Sequence, residues 1–152
     1  MTDRETHLRA AFDLAREAAD RGNTPFGALL VRDGRVLSRA RNSTVTDDDI
    51  TAHPELELAR WAGRRLSADE RAATTMYAST EPCEMCSAAI HYAGLGRVVF
   101  GVSTGALADL RGREPGLTCA DIVAAKNGAT TVEGPALESE GLAVHDSFYG
   151  SG

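Results

Sequence analysis

The chain has 152 residues, 43% hydrophobic and 25% charged, with a formal net charge of −6. A chain of that length can bury roughly two-thirds of its unfolded surface in one core, so residues 1–152 read as a single domain without a linker, excluding a repeat array or a disulfide-stapled miniature. The charge excludes a phosphate-gripping surface over the last quarter, where Glu114, Asp121, Glu133, Glu138, Glu140 and Asp146 face Lys126 alone.

The opening residues are charged and Ala-rich, with no apolar core of a signal peptide, and the longest aliphatic stretch, 28–31, is too short for a bilayer. Two of the three cysteines stand in a C-x-x-C, which favours metal or redox chemistry over a disulfide framework. The cytoplasm is the expected location, and no membrane partner is expected.

Leu8, Ala11, Phe12, Ala15 and Ala18 recur at helical spacing until Gly22, which predicts an amphipathic helix over residues 5–21. The period then changes to two. Residues 26–32 and 35–41 flank Asp33-Gly34, a dipeptide suited to the positive φ angles of a tight hairpin. Residues 42–49 form a polar loop, and Thr51 is placed to cap a helix running to about Arg64 with Glu55 and Glu57 near its positive end. Residues 74–79 read as a strand, 82–93 as a helix with Pro82 in its first turn, and 97–101 as a buried strand. Beyond them the pattern predicts a helix at 118–126, a short strand at 130–133 and a helix at 134–142. The expected fold is α/β: a three-layer α/β/α sandwich around a mixed five-stranded sheet.

The chemistry concentrates in His53-Pro54-Glu55 and, after it, Pro82-Cys83-Glu84-Met85-Cys86. Taken alone, a C-x-x-C is more often a redox pair or half of a structural zinc site. No second C-x-x-C exists here to close such a site, and a structural site needs no carboxylate in the position of Glu55. Two thiolates and one imidazole, His53, Cys83 and Cys86, can hold Zn²⁺ with one position open, which makes hydroxide available at neutral pH. Both ligand pieces stand at predicted helix starts, where unpaired N–H groups stabilise thiolates. Pro54 disfavours helical geometry at His53 and so places that residue at or near the cap, with Pro54 in the first turn. H-x-E upstream of P-C-x-x-C is the zinc-deaminase signature.

These motifs, with Glu81 before them and Ala88-Ala89-Ile90 after, resemble the cytidine/deoxycytidylate deaminase superfamily, in the branch of cytosine, guanine and tRNA adenosine deaminases. Pro25-Phe26-Gly27-Ala28, Asn42 and Arg97-Val98-Val99-Phe100-Gly101 extend the likeness over about residues 5–105. The resemblance implies a cytidine deaminase-like fold, zinc on His53, Cys83 and Cys86, and Glu55 as the proton shuttle. It implies that Asn42 hydrogen-bonds the substrate and places Phe26 and Tyr92 where pocket walls stand, although core packing explains aromatics equally well. Asp109 falls where guanine deaminases carry an additional acid, beside the blander reading of a solvated loop acid. Two departures are Pro54, between His and Glu, and Glu84, a negative charge inside the cysteine motif that reads as solvent-facing. Cys119 reads as a small buried apolar residue. His145, Phe148 and Tyr149 are placed to close over a pocket, that of this chain or of a neighbour, since relatives are commonly homodimers.

The expected activity is hydrolytic release of ammonia from a small nucleobase or nucleoside, guanine- or cytosine-like, because the acidic tail offers little to a nucleic acid. The alternative is a tRNA wobble-adenosine deaminase, supported by the 97–101 strand and by Arg32, Arg35, Arg39 and Arg41 on the hairpin. A catalytically silent zinc module is the non-enzymatic reading, and the presence of Glu55 argues against it.

Overall fold

The computed structural model describes residues 3–150. Helix α1 (Asp3–Asp20) buries Leu8, Ala11, Phe12, Ala15 and Ala18, the stripe that its sequence period marks out. Strands β1 (Gly27–Arg32) and β2 (Arg35–Arg41) pair antiparallel across Asp33 and Gly34, whose φ values of 53° and 74° supply the left-handed geometry of the hairpin turn. At Gly27 the helix and strand approach so closely that a Cβ would stand 2.5 Å from the Leu14 Cβ. Only glycine fits there.

Helix α2 (Pro54–Arg65) starts two residues later than a Thr51 cap would require. Its cap is His53, extended at φ −89° and ψ 140°, while the Thr51 N–H and hydroxyl both donate to Asp49 Oδ1, at 2.8 and 2.7 Å. Proline at the first helical position, with its fixed φ, decides this boundary. A short helix α3 (Ala68–Ala72) follows, closed by a reciprocal Ser67 and Glu70 capping box. Strand β3 (Thr75–Thr80) leads into helix α4 (Glu84–Ala93), whose cap is Cys83, so Pro82 lies just outside the helix rather than in its first turn.

Strand β4 (Arg97–Val102), helix α5 (Thr104–Arg111), helix α6 (Cys119–Ala125), strand β5 (Thr131–Glu133) and helix α7 (Glu138–Tyr149) complete the order. The sheet runs β2-β1-β3-β4-β5, with β1 antiparallel to both neighbours and β3, β4 and β5 parallel. The mixed five-stranded sheet is therefore as expected. Successive residues alternate between its faces: Leu30, Met76 and Val98 pack with Leu58 of α2 and Ile90 of α4, whereas Leu29, Tyr77 and Val99 pack with Leu8 and Phe12 of α1 and Val144 of α7. That sandwiches the sheet between two helical layers. Helix α7 begins later than residues 134–142 would have it, because Leu137 just before it is left-handed at φ 52°, and it runs on to Tyr149. Among the described residues, no helix is long and apolar enough to cross a membrane.

Candidate active site

The parallel strands end where α2 and α4 begin, and the first turns of both helices point at one spot. His53 Nδ1 lies 3.6 Å from Cys83 Sγ and 3.5 Å from Cys86 Sγ. All three donor atoms fall within 4.8 Å of one another, and among the described residues no further such group forms. The cap position and the third helical position place both sulfurs at one end of α4.

The electrostatics of this group call for a cation. Cys83 is held down to about 4, first by hydrogen bonding from the Cys86 thiol, then by His53 and the Cys86 backbone N–H. Cys86 is pushed up, as the donor to Cys83 and by burial. His53 is raised, mainly by its hydrogen bond with Cys83. One imidazole and two sulfurs thus share protons where a divalent metal would replace them, and the donor set is the soft-to-borderline one that suits zinc.

Glu55 is 5% exposed, and its Oε1 is buried without a hydrogen-bond partner among the described residues. Burial, then the neighbouring Cys83 thiolate, lift its carboxyl to about 7. An orphaned buried oxygen beside two sulfurs and an imidazole fits a bound metal and its reactants, the remaining partners that this arrangement lacks.

His53, Glu55 and Cys83 line a cavity of about 480 Å³, with Cys86 fully buried behind them. Phe26, Asn42, Thr44 and Ile50 form one part of its lining, and Thr80 and Glu81 close the end of β3. Leu107, Ala108 and Arg111 of α5 and the segment 113–116 contribute a further part. Asn42 is buried, and its Oδ1 accepts both the backbone N–H and the hydroxyl of Thr44, at 3.0 and 2.8 Å. Asn23, equally buried, accepts the N–H groups of Val45 and Thr46, both at 3.0 Å, and so folds the loop that carries Asn42 and Ile50. Glu84 reaches the cavity rim, where its Oε2 accepts the Leu117 N–H at 3.4 Å.

The structure brings together His53, Glu55, Cys83, Cys86, Phe26 and Asn42. Two expected pocket residues stand elsewhere. Tyr92 is 70% exposed, with Lys126 Nζ 5.1 Å from its ring centroid; nine residues after Cys83 is two and a half helical turns, which turns it to the opposite side. Asp109 is exposed beside a second hollow between α5 and α7, because α5 gives Leu107, Ala108 and Arg111 to the cavity. Thr80, Glu81 and Arg111 are cavity residues that the motif reading missed. Glu81 adjoins the recognised motif, whereas Arg111 belongs to a helix whose local signal is the Ser103 cap, which accepts from Ala106 N–H. Cys119 is fully buried as expected, its thiol pushed up to about 11 by burial.

Residues 1–102 match the family described as the cytidine and deoxycytidylate deaminase zinc-binding region. A protein of Schizosaccharomyces pombe described as a probable cytosine deaminase is 33% identical over 151 residues, 96% of this chain and 92% of its own. The guanine deaminase of Bacillus subtilis is 40% identical over 90 residues, which cover 59% of this chain and 58% of that enzyme. A solved structure from studies of A-to-I editing by tRNA:A34 deaminases superimposes with a TM-score of 0.73 at 30% identity, covering 92% of this chain and 99% of the other.

Proposed function

Because this chain belongs to the cytidine and deoxycytidylate deaminase family, a family of zinc-dependent hydrolases, we propose that it releases ammonia from a small nucleobase or nucleoside, guanine- or cytosine-like. The observation that carries this reading is the buried, unpartnered Glu55 Oε1 beside the His53, Cys83 and Cys86 group, in a cavity whose size suits a heterocycle.

His53 Nδ1 and the two sulfurs would hold the metal. Bound Zn²⁺ supplies Lewis acidity, which brings the pKa of water toward 7 and so makes hydroxide available at neutral pH. Glu55 takes the proton at its free oxygen as hydroxide adds to the ring carbon bearing the exocyclic amine. The same carboxyl gives that proton to the adjacent ring nitrogen, then takes the proton of the added hydroxyl and passes it to the amine, so the C–N bond breaks as the C=O forms and water and a cyclic amidine become an oxo product and ammonia. Phe26 offers an aromatic face to a flat ring, and Asn42 offers its amide N–H₂, the carbonyl half being occupied by Thr44. A fixed arrangement of this kind positions the reactants before the chemistry begins.

A second reading, wobble-adenosine deamination in tRNA, is favoured by the 30% identity to the tRNA:A34 deaminase structure and by Arg111 and Arg113 in the cavity lining. Against it stands the acidic last quarter of the chain. Ammonia release from guanine, cytosine, adenine and their nucleosides, measured beside inosine formation in a tRNA anticodon loop, separates the two. Turnover of the free bases supports the first reading, and activity confined to tRNA replaces it with the second. In this reading residues 1–152 act as one domain, the three cysteines, none in a disulfide, suit a reducing cytoplasm, and the exposed Met85 and Tyr92 of α4 support a homodimer.

A further inference from the structure

Resting on the reading of this cavity as a heterocycle site, we propose that Thr80 is a substrate-contacting hydrogen-bond donor and that His145 is the positioning residue that turns the Thr80 hydroxyl toward the ring. Thr80 is the last residue of β3 and lines the same cavity as Glu55. Its Oγ1 lies 2.6 Å from Nε2 of His145, which α7 supplies 65 residues later. His145 is 1% exposed, and its other ring nitrogen, Nδ1, has no partner among the described residues. The imidazole is held by rings: Phe26 meets it edge-on at 5.2 Å, and Tyr149 stacks on it at 5.9 Å with an interplanar angle of 13°. Arg111 lies over the Tyr149 ring, 4.2 Å from its centroid.

Burial first, and then the charge of Arg111, push His145 down to about 4, so the ring is neutral near pH 7 and carries a single N–H. Were that hydrogen on Nδ1, it would be a buried donor with no acceptor among the described residues. Buried orphan N–H groups are rarer than under-used acceptors. The hydrogen therefore belongs on Nε2, which donates to Thr80 Oγ1. A threonine whose oxygen is engaged in this way keeps its own O–H for another partner, and Thr80, otherwise buried, lines the cavity. Asn42 reaches the same polarity by a separate route, since Thr44 occupies its Oδ1 and leaves only N–H donors. Two parts of the lining thus present donors, and the ring atoms they meet are acceptors. A carbonyl oxygen or an unprotonated ring nitrogen satisfies them, and a C–H at the same place leaves a buried donor unpaired.

The test uses the zinc-loaded full chain and its best substrate from the nucleobase panel. Thr80→Val is expected to lower kcat/KM about tenfold, chiefly through KM, with zinc content unchanged, while Thr80→Ser stays near the unmodified protein. His145→Phe, which keeps a ring between Phe26 and Tyr149, should lose a similar factor, and His145→Gln, whose amide can donate where Nε2 stood, should recover most of it. The double variant Thr80→Val/His145→Phe should lose no more than either single one. Imidazole ¹⁵N chemical shifts should identify an Nε2–H tautomer at His145. An Nδ1–H tautomer, undiminished kcat/KM in Thr80→Val, or additive losses in the double variant overturns the proposal. If His145→Phe does not fold, the two Thr80 variants and the tautomer decide. No turnover of any heterocycle by the unmodified protein would refute the functional reading and the substrate contact together, whereas turnover with an Nδ1–H tautomer would refute this proposal alone.

Discussion

Glu81 Oε2 accepts the backbone N–H of Cys119 at 2.8 Å, joining the start of the metal motif to the first turn of α6, 38 residues away. Its other oxygen accepts the Thr104 N–H at 2.9 Å, in the first turn of α5. One buried carboxylate therefore satisfies two helix starts and holds the segment that completes the cavity. Glu81→Ala should lower unfolding free energy by about 2–4 kcal/mol, since hydrogen bonds to a charged group are the stronger kind. Glu81→Gln, with one acceptor left, should lose about half of that. Denaturant midpoints measure both, and KM should rise alongside as Leu107 and Arg111 lose their anchorage.

Glu55→Gln keeps the shape of the side chain and removes its capacity to take a proton. Zinc content, read by metal analysis, should be unchanged, while ammonia release should fall by about 10²–10⁴-fold, the range for loss of a general acid–base group. Normal turnover in this variant would rule out the role assigned to Glu55.

Removal of zinc by a chelator should abolish ammonia release and lower Tm, because a ligand that binds only the folded chain stabilises it by mass action. Adding zinc back should restore both. Cys86→Ser should show the low Tm without the restoration, since the hydroxyl replaces a fully buried sulfur donor. Calorimetry with and without zinc checks each step.

His145 makes stability depend on pH in a definite direction. Its folded value is about 4 against an ordinary 6.5, so between these limits the unfolded chain binds a proton that the folded chain refuses. Stability therefore falls as pH drops from 6.5 toward 4, changes little from this source above 6.5, and loses at most about 3 kcal/mol by it. Carboxylates titrate over the same range. The expected result is thus a difference: urea unfolding of His145→Phe should have a shallower slope than the unmodified chain between those limits and a parallel one above them. Equal slopes throughout would show that the His145 ring accepts its proton as readily folded as unfolded.

Much of this molecule was legible in its residues because the physics there is local. A helical stripe, an Asp-Gly turn and the spacing of H-P-E and P-C-x-x-C act within a few residues, and they located the hairpin, the parallel strands and the residues of the metal group. Pro54 put His53 at or near a helix cap, and the structure makes His53 itself the cap in place of Thr51, extended as the backbone before a proline prefers to be. Helix α3 carried a readable Ser67 and Glu70 capping box, yet five residues are too few to show a period. Tertiary packing decided the rest. It turned Tyr92 outward, left Asp109 beside another hollow, and joined Thr80 to His145 across 65 residues. Such partners depend on which strand ends and helix starts meet once the core has closed, and no spacing along the chain encodes that meeting.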